Sequence, residues 1–306
     1  MLFGTKSTGI IVIGGAASND IASGIAKELG VPVSNLEVKT LPDGESYIRV
    51  EGDVKGKIVL LVQSTGPPQD KHLIELLITI DAIHGLGAKK VVAIIPYLAY
   101  ARQNKRFRNG EAISINAVLK LIRSAGADAI INVEPHRREI SEAFKGRFLC
   151  VDPITSLLRN LPTDLKAPVL IAPDNGAVER VKKAAKLLDI PYFLIEKKRD
   201  LESGRITIRN VQDFDFKGND AVIIDDIVST GKTVLAAAIA AKDRGAGRVL
   251  VVAPHLIMSG NCYDTLRRYG ITDIIGSNSI PNANAKIVDI SQDIARVAKK
   301  LIEEIR

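Results

Sequence analysis

The chain repeats itself, and that repeat constrains its fold more than any single motif. Gly87-Ala-Lys-Lys-Val-Val-Ala-Ile-Ile-Pro96 returns as Gly245-Ala-Gly-Arg-Val-Leu-Val-Val-Ala-Pro254, an offset of 158 residues. The helix-like run ending Lys27-Glu28-Leu29-Gly30-Val31-Pro32 returns as Lys186-Leu187-Leu188-Asp189-Ile190-Pro191, at 159. Gly126-Ala-Asp-Ala-Ile-Ile131 returns as Gly270-Ile-Thr-Asp-Ile-Ile275, where the offset falls to 144. Equivalent pieces in the same order argue for two duplicated halves. Within each half, short apolar runs alternate with helical runs. Residues 10–14, 58–63, 91–96 and 129–133 read as strands in the first half. Residues 169–173, 192–196, 221–225, 249–253 and 273–276 do so in the second, with Asp70–Leu86 and Gly176–Leu188 among the helices between. Strands of this kind form mostly parallel sheets covered by helices on both faces. The fold class is therefore α/β, with expected domains at 1–150 and 151–285. A last strand (286–290) and helix (291–305), within the terminal segment 286–306, are expected to return to the first domain.

Chemistry concentrates in residues 222–233, Val-Ile-Ile-Asp-Asp-Ile-Val-Ser-Thr-Gly-Lys-Thr. A buried strand ends in two carboxylates, Asp225 and Asp226, which can accept hydrogen bonds from vicinal hydroxyls. The loop Ser229-Thr230-Gly231-Lys232-Thr233 then opens an Ala-rich helix. Free backbone N–H groups and the helix dipole favour an anion at such a helix start. The two features together describe a sugar-phosphate pocket. Gly231-Lys232-Thr233 is not a Walker loop, since that pattern needs a glycine where Asp226 stands. The matching strand end of the first half offers Gln63-Ser64-Thr65 and no acid pair. That half instead carries extra residues in the polar stretch from Tyr100 to Glu111.

Charge and composition narrow the partners. The net charge of +7 gathers in three short stretches, 102–108, 137–147 and 197–199, and aromatics make up only 4%. This suits phosphate-rich small ligands and argues against a nucleic-acid track. No apolar run approaches the ~18 residues that span a bilayer, and the N-terminus lacks a signal-peptide pattern. The chain accordingly reads as cytoplasmic, with no membrane partner. Cys150 and Cys262 are too few and too far apart for a disulfide framework or a zinc site, and read as buried thiols.

The acid pair and loop 225–233 resemble the phosphoribosyl-diphosphate motif of type I phosphoribosyltransferases and ribose-phosphate pyrophosphokinases. Pro96-Tyr-Leu-Ala-Tyr-Ala-Arg-Gln103 resembles the ATP-binding signature of the pyrophosphokinases alone. The resemblance covers essentially the whole chain and implies two phosphoribosyltransferase-like domains. It implies transfer of the β,γ-diphosphoryl group of ATP to the C1 hydroxyl of ribose 5-phosphate, giving 5-phosphoribosyl 1-diphosphate and AMP. Residue by residue, it implies ATP contacts from Asp43 and Glu45 in Leu41-Pro-Asp-Gly-Glu45, and from Arg102, Gln103 and His136. Leu41 stands where the family usually has an aromatic, and Glu134-Pro135 where it has Asp-Leu before the His. It further implies ribose and 5-phosphate contacts from Asp225, Asp226, Ser229, Thr230, Gly231, Lys232 and Thr233. Asp174, Asn175 and Gly176 form a pyrophosphate loop, and Lys197 and Arg199 act as catalytic groups. Mg²⁺ is the implied cofactor, with His136 and Asp174 as its neighbours, and the loop 43–45 implies a homodimer or larger assembly. The alternatives are a type I phosphoribosyltransferase, which leaves 96–111 unexplained, and a regulatory homologue without catalysis.

Overall fold

The computed structural model describes residues 9–199, 206–209 and 215–305, with the side chains of 196–199 and 206–209 outside that description. Contacts divide the chain into two units, Met1–Asp152 with Asp289–Arg306, and Pro153–Val288.

The first unit contains β1 (Ile10–Gly14), α1 (Asn19–Leu29), β2 (Val33–Ser34), β3 (Leu36–Thr40), β4 (Ser46–Val50) and β5 (Ile58–Val62). It continues through α2 (Gln69–Gly85), β6 (Lys90–Ile95), α3 (Ser114–Ser124), β7 (Ala129–Val133) and β8 (Arg147–Val151). Six of these strands form one parallel sheet in the order β2-β1-β5-β6-β7-β8. The runs Ile-Ile-Val-Ile-Gly and Ile-Val-Leu-Leu-Val of β1 and β5 are buried throughout, because both faces are covered. Strand periodicity divides them between two cores. Ile11, Ile13, Val59 and Leu61 pack with α2 and α3 residues such as Leu76, Ile80 and Leu119. Ile10, Val12, Ile58, Leu60 and Val62 pack with Ile21 and Ile25 of α1. The same core takes Ile294, Ala298 and Leu301 from the C-terminal helix Ser291–Ile305, which lies against α1.

The second unit contains α4 (Ile154–Leu158), β9 (Val169–Ala172), α5 (Val178–Leu188), β10 (Tyr192–Leu194), β11 (Glu196–Arg199), β12 (Ile206–Arg209) and β13 (Ala221–Ile224). There follow β14 (Ile227–Val228), α6 (Lys232–Asp243), β15 (Val249–Val252), β16 (His255–Leu256), α7 (Cys262–Arg268), β17 (Ile271–Ser277) and β18 (Lys286–Val288). Its main sheet runs β10-β9-β13-β15-β17-β18. In each unit the second strand lies outside the first and the third lies on the first's other side. Each unit also inserts an antiparallel hairpin between its second and third sheet strands, β3–β4 in one and β11–β12 in the other. The duplication read from sequence is thus present strand for strand.

Most expected boundaries shift by one or two residues, and two differences have a clear physical reason. The strand expected over 192–196 stops at Leu194, because the chain leaves the sheet to start the β11–β12 hairpin. The run 286–290 stops at Val288 and does not return to the first unit: it pairs with β17 at the edge of the second unit's sheet, and only the helix beginning at Ser291 packs on the first.

Candidate functional site

In each main sheet the connections leave in opposite directions on either side of the first strand, opening a crevice at the strands' carboxyl ends. In the second unit that crevice lies between β9 and β13. It receives Asp174 just after β9 and Asp225 and Asp226 just after β13. The all-buried Ala-Val-Ile-Ile of β13 delivers both acids to a site where they are only 7% and 6% exposed. The Asp226 backbone N–H donates to Asp225 Oδ1 at 2.9 Å. Burial, then the neighbouring Asp226 and Asp174 charges, push the Asp225 carboxyl up to about 8. Arg180 of α5 comes over the pair, with Nη1 4.0 Å from Asp226 Oδ1.

Asp174 closes the turn after β9 by accepting the Gly176 N–H at 2.9 Å. The one-turn 3-10 helix Asn175–Ala177 then leads into α5. Asn175 and Gly176 are exposed at its tip.

The loop after Asp226 is held from below. β14 pairs in parallel with β16, and the Met258 and Ser259 N–H groups donate to Val228 O and Ser229 O, each at 3.0 Å. Gly231 then turns the chain at φ +74° into α6, whose start no side chain caps among the described residues. The first N–H groups of α6 are therefore oriented for an acceptor from outside the chain. Ser229 and Thr233 are half-buried beside them, and Thr230 and Lys232 are exposed. A Cβ at Gly231 would lie 2.6 Å from Cys262 Sγ, so only glycine fits there.

The same crevice in the first unit, between β1 and β5, is filled. Gln63, Ser64 and Thr65 are buried, and a Cβ on Gly15 would lie 1.9 Å from Gln63 Oε1. Ser64 N–H donates to Ser18 Oγ at 2.8 Å, and Thr65 Oγ1 to Tyr97 O at 2.9 Å. Polar side chains bonded to neighbouring backbone groups replace the acid pair.

The exposed chemistry of the first unit sits instead after β6 and β7, which are neighbours in the sheet. Tyr100 takes φ +65° and its carbonyl accepts the Gln103 N–H at 3.0 Å, a turn that leaves Arg102 and Gln103 exposed. The Gln103 side chain meets Ser114 at the start of α3. The basic stretch beyond is gathered by Glu111, whose Oε2 accepts the N–H groups of Phe107 and Arg108 at 2.8 and 3.0 Å. After β7, Glu134 takes φ +37° and His136 follows half-buried. Asp43 and Glu45 stand exposed at the tip of the β3–β4 hairpin, where Glu45 N–H donates to Asp43 Oδ1 at 3.2 Å. Lys197 and Arg199 fall on β11, opposite Ile208 and Ile206, and their side chains lie outside the described residues.

Three supports are not visible in the sequence: Arg180 over the acid pair, Cys262 against Gly231 though remote from it in the chain, and the hairpin stems that carry 41–45.

The described residues contain no ready cluster of three His, Cys, Asp or Glu side chains for a metal. The donors present nonetheless fit a hard divalent cation that keeps water and phosphate in its shell. Asp174, Asp225 and Asp226 offer only oxygen, and Asp225 is raised by burial, then by the charges of its two neighbours. That shift has a pH signature. Asp225 is raised from 3.8 to about 8 on folding, so its contribution to stability is complete below about pH 4. The contribution is lost as pH climbs through about 8. Thermal denaturation across pH 5–9 should show a declining Tm, with a shallower decline in Asp225→Asn. Parallel curves would remove Asp225 as the cause.

Two doubly wound α/β units, one ending in an acid pair and an anion-ready helix start, define a protein of the phosphoribosyltransferase fold. Residues 10–126 match the family model for the N-terminal domain of ribose phosphate pyrophosphokinase, and residues 149–281 match that for the phosphoribosyl transferase domain. The ribose-phosphate pyrophosphokinase of Saccharolobus solfataricus is 44% identical over 94% of this chain and 99% of its own. That of Sulfurisphaera tokodaii is 41% identical over the same shares. The crystal structure of phosphoribosylpyrophosphate synthetase from Mycobacterium smegmatis superposes with a TM-score of 0.86 at 28% identity, covering 96% of this chain and 99% of that one. The chain belongs to the ribose-phosphate pyrophosphokinase family.

Proposed function

We propose that the protein joins ATP and ribose 5-phosphate to give 5-phosphoribosyl 1-diphosphate and AMP. The observation that carries this reading is the Asp225–Asp226 pair beside the uncapped start of α6, a receptor for a ribose diol and a phosphate on one element. Asp225 and Asp226 accept the ribose 2- and 3-hydroxyls. Residues 229–233 hold the 5-phosphate through backbone N–H groups and the Ser229, Thr230 and Thr233 hydroxyls, with Lys232 adding charge. Arg102, Gln103 and His136, with Asp43 and Glu45, hold the nucleotide. Asp174, Asn175 and Gly176 face the diphosphate.

The C1 hydroxyl oxygen attacks the β-phosphorus in line. A new C1–O–P bond forms, the bond from Pβ to the oxygen bridging Pα breaks, AMP leaves, and the hydroxyl proton passes to solvent. Such chemistry asks for alignment and charge neutralisation rather than a covalent nucleophile. Asp174 and His136 are the residues that would hold Mg²⁺, which would supply part of that neutralisation. Lys197 and Arg199 supply the rest at the transferring oxygens. The readily exposed 41–45 tip supports a homodimer or larger assembly, in which a neighbour receives it. Among the described residues no helix is long and apolar enough to cross a membrane. Phosphorylated small-molecule substrates support a cytoplasmic protein whose partners are these ligands rather than a membrane or nucleic acid.

Phosphorus NMR of the protein with ATP, ribose 5-phosphate and Mg²⁺ tests the reading. AMP together with a sugar-linked diphosphate is expected, whereas ADP would mean γ-phosphoryl transfer and overturn it. In the same assay Lys197→Ala should lower kcat about a hundredfold, the cost of one charged donor at a transition-state oxygen. Full activity would remove Lys197 from the mechanism.

A further inference from the structure

We propose that the N-terminal half of α2 is a bracket that sets both nucleotide loops of the first unit, with Asp70, Lys71 and Glu75 as positioning residues. The inference rests on the assignment above of 41–45 and 102–103 to the nucleotide. Thr40 and Ser46 face each other across the neck of the β3–β4 hairpin, immediately before and after that tip. Lys71 Nζ donates to Thr40 Oγ1 at 2.9 Å, and Ser46 Oγ donates to Glu75 Oε1 at 3.0 Å. Lys71 and Glu75 stand one helical turn apart, with Nζ 3.9 Å from Oε1, so one ion pair grips both stems. On the same turn of α2, the Asp70 carboxylate accepts the Tyr100 hydroxyl.

Tyr100 is a costly place to anchor. A non-glycine residue at positive φ is about 1 kcal/mol or more above the ordinary conformation. Its carbonyl nevertheless closes the turn that presents Arg102 and Gln103. Glu75 is costly too. It is 2% exposed, and its Oε2 meets no hydrogen-bond partner among the described residues. A buried carboxylate left half-satisfied is worse for stability than an apolar side chain of similar size. Packing alone would not select it. The geometry gives it a different task, to hold Ser46 and Lys71 so that Asp43 and Glu45 keep one orientation. The two nucleotide loops are thereby referred to a single rigid helix.

The test compares Tyr100→Phe, Lys71→Met and Glu75→Gln with Lys71→Arg and with Arg102→Ala, all in the full-length protein. Each of the first three should raise KM for ATP about three- to tenfold, the range of one lost hydrogen bond. KM for ribose 5-phosphate should stay within about twofold, because its ligands sit on the other unit. Lys71→Arg, which keeps the donor, should restore the ATP value. An unchanged KM for ATP in all three, or equal rises for both substrates, would overturn the bracket. If Arg102→Ala also leaves KM for ATP unchanged, the nucleotide assignment itself fails, and the two failures are told apart. Glu75 is buried, so the variants at exposed Lys71 and the isosteric Tyr100→Phe carry the test independently of any loss of fold in Glu75→Gln.

Discussion

Replacing Asp225 and Asp226 together by Asn is expected to lower kcat/KM for ribose 5-phosphate about a thousandfold and, at the same time, to raise Tm at pH 8. The two effects have one cause. Each carboxylate is held nearly out of water at the end of β13, with its neighbour's charge beside it. Two charge-assisted hydrogen bonds to a diol are worth about 1.5–3 kcal/mol each, which converts to roughly three decades when both are lost. An amide keeps the shape and one acceptor, so packing survives. What disappears is the burial of charge, and after it the repulsion from Asp226 and Asp174, that push Asp225 up to about 8, and with them a destabilising term of the unliganded protein. Kinetics with ribose 5-phosphate varied, ATP binding by calorimetry, and thermal denaturation at pH 8 check the three parts. ATP affinity should hold, since neither acid is among its assigned contacts. A stability loss with unchanged kcat/KM would make the pair a structural feature and defeat its assignment to the ribose.

Much of this architecture was readable because it is written twice. A single apolar run of five residues cannot distinguish a buried strand from a piece of buried helix. Two such runs at nearly constant offset, each followed by a helical pattern, can. The offset also falls between Pro96 and Gly126, and the connection there runs from 96 to 113, against 253 to 261 in the second unit. The site was legible where chemistry is local. Asp225 to Thr233 is one strand-loop-helix element, and its acids and backbone groups are placed by their own neighbours in the chain.

The unread parts depend on contacts between distant segments. The β3–β4 ribbon is half-exposed: Leu36, Val38, Ile48 and Val50 alternate with Glu37, Lys39, Tyr47 and Arg49, a short pattern with none of the continuous apolar runs that mark the main-sheet strands. Only packing on α2 explains the ribbon. Arg180 reaches Asp226 because β9 and β13 are neighbours in the sheet, a fact of strand order that spacing does not contain. Gln63 reads as a degenerate strand end, yet it fills the first unit's crevice against Gly15. Sequence shows that the acids are missing there. The fold shows what took their place.

Gly231→Val should cost about as much as removing the acids, for a reason that is steric rather than electrostatic. At φ +74° a β-branched residue stands about 1–2 kcal/mol or more above its preferred conformations. Its Cβ would also lie 2.6 Å from Cys262 Sγ and 3.3 Å from Leu266 Cδ2, inside a buried contact with α7. The loop can relieve both only by lifting away from β16, which turns the first N–H groups of α6 off the phosphate. We expect kcat/KM for ribose 5-phosphate to fall about a thousandfold, with KM rising steeply, as several anion-binding donors are lost together. Strain and clash can be separated with the smaller Gly231→Ala. Adding Cys262→Ala to that variant removes the sulfur that the new methyl meets but leaves the backbone strain. The double variant should therefore recover part of the lost Tm and activity, and not all of either. Full recovery would mean that the left-handed conformation is dispensable. No recovery would mean that Cys262 is not what the loop rests on, and the anion site would then owe its shape to the backbone of 229–231 alone.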